Sequence, residues 1–262
     1  MSWEPAKRAK EVSKTDCRIT KLLTGAKWAA HSEAYAELIA EHLGSGCRWL
    51  DAGCGWRLLE NDLDPLEDWL VERCGLIIGM DVLLGGHRNI RLLVRGTLYA
   101  LPFAEDSLDL VTCNMVLEHL SDPARALAEV TRCLKAGGAV VINTPNLLNY
   151  GVMANAVATR VMPERWRLRL VRASDSREPD RIFPVRYKAN SLRRLTGLLE
   201  ACGLQVHKAL MLPQRQTFLT RTARLEEILM KLTPNVRLLV CAHKAVPRRG
   251  EPVRRLSEAR WP

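Results

Sequence analysis

The chain has 262 residues, 47% hydrophobic and 26% charged, with a net charge of +10. That is too apolar for a disordered polymer and long enough for one sizeable domain with an appendage. No apolar run approaches the roughly 18–20 residues of a membrane span, and Met1–Arg8 lacks the apolar core of a signal peptide.

The charge is uneven. Residues 1–150 hold sixteen basic and twenty acidic side chains, a net −4, while residues 151–262 hold twenty-three and nine, a net +14. A basic half of this kind suits nucleic acid, a membrane surface or an anionic substrate, or is simply a solvated face. The eight cysteines show no CxxC pair and no zinc-ligand spacing, so they read as reduced thiols of a cytoplasmic protein.

In chain order, the first 25 residues form a basic arm, and Trp28–Leu43 carries apolar residues at helical spacing, stopped by Gly44. Cys47–Asp51 reads as a short strand running into a glycine turn. Asp64-Pro65 caps a helix over Leu66–Cys74. Leu76–Asp81, Ile90–Val94 and Leu108–Asn114 read as further strands. Asp122-Pro123 opens a helix over Ala124–Leu134, which Gly137-Gly138 ends before a fifth strand, Ala139–Asn143. This alternation implies a parallel sheet covered by helices on both faces.

Residues 146–188 break the rhythm, with five arginines (Arg160, Arg165, Arg167, Arg169 and Arg172) around Trp166 and interleaved aliphatics. A segment of this length is expected to act as a lid or substrate insertion. The Arg-rich segment 160–172 ranks first as a solvated or packed helix, second as a contact for phosphate or an anionic membrane, and third as an RNA contact, with the role of the wider basic stretch 160–194 left open. The pattern resumes with a helix capped by Asn190-Ser191 and stopped by Gly203, a strand Leu204–Leu212, a helix Arg221–Leu232 and a last strand Val236–Val246. The expected organisation is a helical arm at 1–44, one α/β domain at 45–246 with its insertion at 146–188, and a charged tail at 247–262.

The most informative stretch is Leu50-Asp51-Ala52-Gly53-Cys54-Gly55, which follows the first sheet strand. Glycines there permit a tight turn and close approach of a ligand to main-chain N–H groups. Asp51 and Asp81 end neighbouring strands, where carboxylates suit an amine and ribose hydroxyls. A pyrophosphate-binding G-x-G-x-x-G turn would need a third glycine where Leu58 stands, which disfavours a nicotinamide dehydrogenase and points to a nucleoside without a pyrophosphate.

The sequence resembles the class I S-adenosylmethionine-dependent methyltransferases, particularly the bacterial small-molecule group. The resemblance rests on Asp51–Gly55, Gly79-Met80-Asp81, Leu101-Pro102-Phe103 with Ser107–Val111, Leu117–Leu120, and Leu134–Gly138, in that order. It implies a doubly wound, Rossmann-like seven-stranded sheet, mostly parallel with an antiparallel last strand. It implies that Asp51, Gly53 and Gly55 line the methionine end of S-adenosylmethionine, that Asp81 binds the ribose, that Thr97, Leu98 and Leu101 lie near the adenine, and that Asn114 lies beneath the cofactor. The family often has a further glycine where Arg57 stands and Asp where Thr97 stands. The 30 residues from Asp51 to Asp81 exceed the roughly 20 usual for such folds, with the extra length around Glu60–Asp68.

Methyl transfer from a sulfonium needs alignment, dryness and, for a hydroxyl or amine, removal of one proton. His119 is the candidate base, against a reading in which Glu118-His119 only fixes the local turn. Glu118-His119 also matches part of a metal-binding Glu-x-x-Glu-His pattern, but Met115 stands at the first glutamate position, so no metal is expected. Asn146, Tyr150 and Tyr187 are candidate acceptor contacts, with a helix N-cap the favoured role for Asn146 and lid packing for the tyrosines. The expected activity is methylation, preferentially on oxygen, of a small-molecule or lipid-linked acceptor such as a glycolipid. The location is the cytoplasm, with peripheral contact to the inner face of an anionic membrane as an option. The rivals are an RNA methyltransferase using the basic half and a non-catalytic S-adenosylmethionine-binding protein.

Overall fold

The structure is a computed structural model, and it describes residues 30–59, 63–162, 183–212 and 237–246. The N-terminal arm before residue 30, the Arg165–Arg172 stretch, the expected helix Arg221–Leu232 and the tail from Pro247 lie outside the described residues.

Chain order begins with α1 (Ala30–Ala40), β1 (Arg48–Ala52), α2 (Asp64–Arg73), β2 (Leu76–Asp81) and β3 (Leu92–Arg95). It continues with β4 (Leu108–Asn114), a 3-10 turn (Leu117–His119), α3 (Pro123–Cys133) and β5 (Leu134–Pro145). The last described elements are α4 (Tyr150–Val161), α5 (Leu192–Ala201), β6 (Leu204–Leu212) and β7 (Arg237–Lys244). The strands form one seven-stranded sheet in the order β3-β2-β1-β4-β5-β7-β6. Strands β1 to β5 are parallel, and β7 runs antiparallel to both β5 and β6. This is the expected doubly wound sheet with its antiparallel last strand.

Strand alternation divides the core between the two faces. Leu50, Val140, Ile142 and Val240 pack with Ala126, Leu127 and Val130 of α3 and Leu195 and Leu199 of α5. Trp49, Ala139, Val141 and Leu239 pack on the other face with Tyr35, Leu38 and Ile39 of α1 and Leu66 and Leu70 of α2. Central strands buried on both sides need near-continuous apolar runs, which is why β4 and the middle of β5 read so plainly in the sequence.

The boundaries differ in informative places. Gly137-Gly138 do not end a helix. The helix stops at Cys133 and β5 starts at Leu134, which pairs with Leu108 before a register shift. Gly137 takes φ +76 inside that irregular stretch, and a Cβ at Gly138 would come within 2.9 Å of the Lys135 carbonyl. The glycines therefore serve a strand irregularity. Asp64 sits inside the first turn of α2, with Leu63 at the cap, and binds Arg57 instead. Ser191 is the N-cap residue of α5 without a side-chain cap bond. Asn190 donates instead to Thr144 and to the Pro145 carbonyl, tying α5 to the end of β5.

The insertion contains a helix that the sequence pattern did not reveal. α4 is capped by Asn149, whose side chain accepts from the Gly151 N–H. Asn146 is not that cap; it is fully buried and its amide oxygen accepts from the Leu148 N–H.

Candidate functional site

Strand order reverses between β1 and β4, so the crevice beyond their carboxyl ends is where an open α/β sheet of this kind receives a ligand. Asp51, the Gly53–Gly55 turn, Asp81 and Asn114 all converge there.

Asp51 is almost wholly buried. It pairs in register with Thr112, whose hydroxyl donates to its carboxylate at 2.7 Å. Trp49, two residues back on the same face, donates its indole N–H to the Thr112 oxygen at 2.8 Å. This relay orients the carboxylate. Burial, against the Thr112 bond and aided by Glu67 and Asp81, pushes the Asp51 carboxyl up to about 7.

Gly53 takes φ +80, and a Cβ there would lie 2.3 Å from a Val116 methyl. Its N–H and that of Cys54 both donate to the Met80 carbonyl, which stitches the turn to β2. Gly55 takes φ +54 with open space around its Cα. Its N–H donates to Asp81 Oδ2 at 3.0 Å, while Asp81 Oδ1 accepts from the Leu83 N–H. Asp81 thus holds the turn and still has lone pairs for further donors.

Thr97 accepts from the Tyr99 N–H at 3.4 Å, and Leu98 and Leu101 are buried in the core beside Leu50, Ala52 and Met80. The Leu101 N–H donates to Glu129 and its carbonyl accepts from Arg132, both on α3. Leu101 therefore offers a ligand its side chain and not its backbone.

Asn114 donates to the Leu58 carbonyl and accepts from the Asn143 amide at 2.9 Å. With that orientation the Asn143 oxygen is left buried without a hydrogen-bond partner. Such an atom is costly unless something donates to it. Asn143 lines a pocket of about 150 Å³ whose wall also includes Tyr35, Arg57, Asn114, Met115 and Arg237. Met115 takes φ +58, unusual for a side-chain-bearing residue, and its sulfur accepts from the Arg237 guanidinium. Drug-sized ligands occupy pockets of about 300–1,000 Å³, so this one suits a small acceptor or one end of a longer molecule.

Tyr35, Arg57, Asn143 and Arg237 were not singled out from the sequence. Arg57 adjoins the glycine turn, but the others arrive from α1, β5 and β7 through folding, and no local motif marks them.

The remaining candidates lie at the insertion and the turn after β4. His119 directs Nδ1 to the Pro184 carbonyl at 3.1 Å, and its ring meets Phe183 edge-on. Its Nε2 lies 3.9 Å from Glu118. Glu118 is buried, its carboxyl is raised by burial, and it accepts from Thr144. The Glu118 carbonyl also accepts the Arg186 and Tyr187 N–H groups. Tyr187 is buried at φ +51, and its hydroxyl accepts from Asn155 of α4. Tyr150 is the first residue of α4 and half-buried. Asn146, Tyr150, His119 and Tyr187 do not line the 150 Å³ pocket. His119, through Pro184, and Tyr187, through Asn155 and the Glu118 carbonyl, tie α4 and the segment 183–187 to the turn after β4.

The extra length between Asp51 and Asp81 has a clear structural job. Glu67, buried on α2, accepts from the Leu59 N–H at 2.9 Å and from Arg88 at 3.1 Å. Arg88 also binds Asp68, and Arg57 binds Asp64. Together they fasten the segment after the glycine turn to α2.

Residues 50–142 match the family described as "Methyltransferase domain". A demethylmenaquinone methyltransferase of Corynebacterium efficiens is 30% identical over 125 residues, which are 47% of this chain and 53% of that protein. The chain spans about half or less of the length of the curated relatives it matches. Among solved structures, the YcgJ protein of Bacillus subtilis aligns over 82% of this chain and 99% of its own, with a TM-score of 0.52 at 19% identity. An S-adenosylmethionine-dependent methyltransferase of Mesorhizobium loti aligns over 82% and 98%, with a TM-score of 0.51 at 18% identity.

Proposed function

We propose that this chain, which carries a class I S-adenosylmethionine-dependent methyltransferase domain, methylates a small-molecule or lipid-linked acceptor, on oxygen. The observation that carries the site assignment is the convergence of Asp51, the Gly53–Gly55 turn and Asp81 at the topological switch point of the sheet.

The residues present fit the cofactor. The Asp51 carboxylate suits its ammonium group, the open Gly55 turn its close approach, and Asp81 its ribose. Leu98 and Leu101 give an apolar floor for the adenine, with Thr97 at its edge, and Asn114 lies beneath. S-adenosylmethionine supplies an activated methyl group on a good leaving group. The protein's own work is then to align the acceptor oxygen, keep water out and receive one proton.

His119 is our proposed proton acceptor. Its Nδ1 faces a carbonyl oxygen and therefore carries a hydrogen, which leaves Nε2 as the basic atom of the neutral ring. Glu118 positions His119 through its backbone, because its carbonyl holds the Arg186 and Tyr187 N–H groups and with them the nearby Pro184 carbonyl that His119 faces. Asn146, Tyr150 and Tyr187 shape the acceptor side by fixing the insertion, the lid of a domain spanning 45–246. His119→Asn tests the base: we expect kcat to fall at least about tenfold with KM for S-adenosylmethionine unchanged. Unchanged kcat across the pH range assigns His119 to holding Pro184 alone.

A lipid-linked acceptor draws support from two features. α4 exposes Met153, Val157 and Val161 beside Arg160, and one relative is named for action on demethylmenaquinone. No described helix is long and apolar enough to cross a membrane. The decisive experiment incubates the protein with cell extract and isotopically labelled S-adenosylmethionine, then follows the label by mass spectrometry. Label in an apolar or glycosylated small molecule, alkali-stable as an ether, supports the reading. Label in RNA supports the rival acceptor, and no label with intact cofactor binding supports a non-catalytic binder.

A further inference from the structure

A second cluster of chemically capable side chains lies at the other end of α1 from the pocket. Because β7 is antiparallel, its last residues sit beside the early part of β5: Cys241 pairs with Val141 and His243 with Ala139. Strand alternation puts Cys241 and His243 on one face, the face that α1 covers. α1 ends in a turn that carries His42 onto them. Cys241 Sγ lies 3.4 Å from His42 Nε2 and 3.9 Å from His243 Nε2. The three ligand atoms all fall within 4.8 Å of one another, with Cys241 buried and both imidazoles half-buried.

We propose that His42, Cys241 and His243 bind a single zinc-class cation that clips α1 to β7. A tetrahedral ion with Zn–S of about 2.3 Å and Zn–N of about 2.0 Å sets sulfur and nitrogen roughly 3.5 Å apart. The two observed spacings bracket that value. One thiolate and two imidazoles form a soft-to-borderline donor set that suits zinc and not calcium or magnesium.

A second observation supports ligation. His243 Nδ1 stands 3.4 Å from the Gly137 carbonyl. Donation there fixes the hydrogen on Nδ1 and turns the Nε2 lone pair towards Cys241, the usual outer-shell arrangement of a metal-bound histidine. His207, an exposed residue at the β6 register shift, has its ring edge-on 5.5 Å from His243. His207 or a water completes the shell. Binding expels the Cys241 proton to solvent and leaves a thiolate on the ion.

The expected absence of a metal rested on Met115 in a different stretch. His42 and Cys241 are 199 residues apart, so no spacing rule could reveal this group. The clip also bears on the pocket. From His31 to His42 is roughly 16 Å of helical rise, and the near end of α1 supplies Tyr35 to the pocket wall.

The test is titration of the purified full-length protein with Co(II), followed by displacement with Zn(II). We expect one equivalent to give thiolate-to-cobalt charge transfer with tetrahedral visible bands. The charge-transfer band should vanish in Cys241→Ser and persist in Cys74→Ser, whose thiol lies elsewhere. Because a buried substitution at Cys241 risks misfolding, the half-buried His42→Gln provides a second arm. Zn(II) at a hundredfold excess over Kd should raise the Tm of the starting protein by about 5 °C or more and that of His42→Gln by much less. No charge-transfer band, a band that survives Cys241→Ser, or equal Zn(II) stabilisation of both proteins overturns the site.

Discussion

At the scale of single residues, Asp51 and Gly53 give the sharpest predictions. Asp51 has its carboxyl raised to about 7 by burial, so the cofactor-free fold tolerates its protonated form better than its charged one. A folded-state value above the unfolded one means stability fully present at low pH and lost as pH rises towards 7. Glu67 and Glu118, also raised by burial, add in the same direction. A cationic ligand needs the charged carboxylate, so its affinity should run the other way. We expect binding of S-adenosylmethionine, measured by calorimetry from pH 5.5 to 8.5, to tighten through about 7. In Asp51→Asn that slope should disappear and affinity should fall at least about tenfold. At Gly53 both backbone conformation and space exclude a side chain. Gly53→Ala should cost about 2 kcal/mol in denaturant unfolding. Val116→Ala should restore only part of it, because the steric clash is relieved but φ +80 is not.

At the scale of elements, α2 acts as the anchor of the glycine turn. Glu67→Ala would leave the Leu59 N–H and Arg88 without their buried acceptor, at a cost of about 3 kcal/mol. Asp122→Ala, which removes only the N-cap bond of α3, should cost about 1 kcal/mol and leave cofactor affinity unchanged. The strands Leu76–Asp81, Leu108–Asn114 and Leu204–Leu212 were legible to the residue, because turn residues bound dense apolar runs. α4 was not legible: its exposed Met153, Val157 and Val161 blur the apolar stripe that marks a packed helix. Gly137-Gly138 misled because glycine pairs commonly follow helices, whereas here they serve the irregular start of β5. The site divides the same way. Asp51, Gly53 and Gly55 could be placed together because one local turn carries them, and Asp81 because it ends the next strand, β2. Tyr35, Asn143 and Arg237 could not, because only the assembled sheet brings them together.

At the scale of the molecule, the charge asymmetry separates two tasks. The glycine turn with its acidic partners lies in the half that carries −4, and the insertion and last strands lie in the half that carries +14. Met153, Val157 and Val161, spaced four residues apart on α4 and exposed by 48%, 59% and 75%, share that basic half. We expect co-sedimentation with vesicles containing anionic lipid, weakened by salt and by Val157→Asp, and none with neutral vesicles. The central claim is that the carboxyl edge of β1 and β2 holds S-adenosylmethionine. Isothermal titration of the intact protein and of Asp81→Ala tests it most directly. One site per chain is expected, weakened at least about tenfold by the substitution. No binding, or binding that Asp81→Ala leaves untouched, contradicts it.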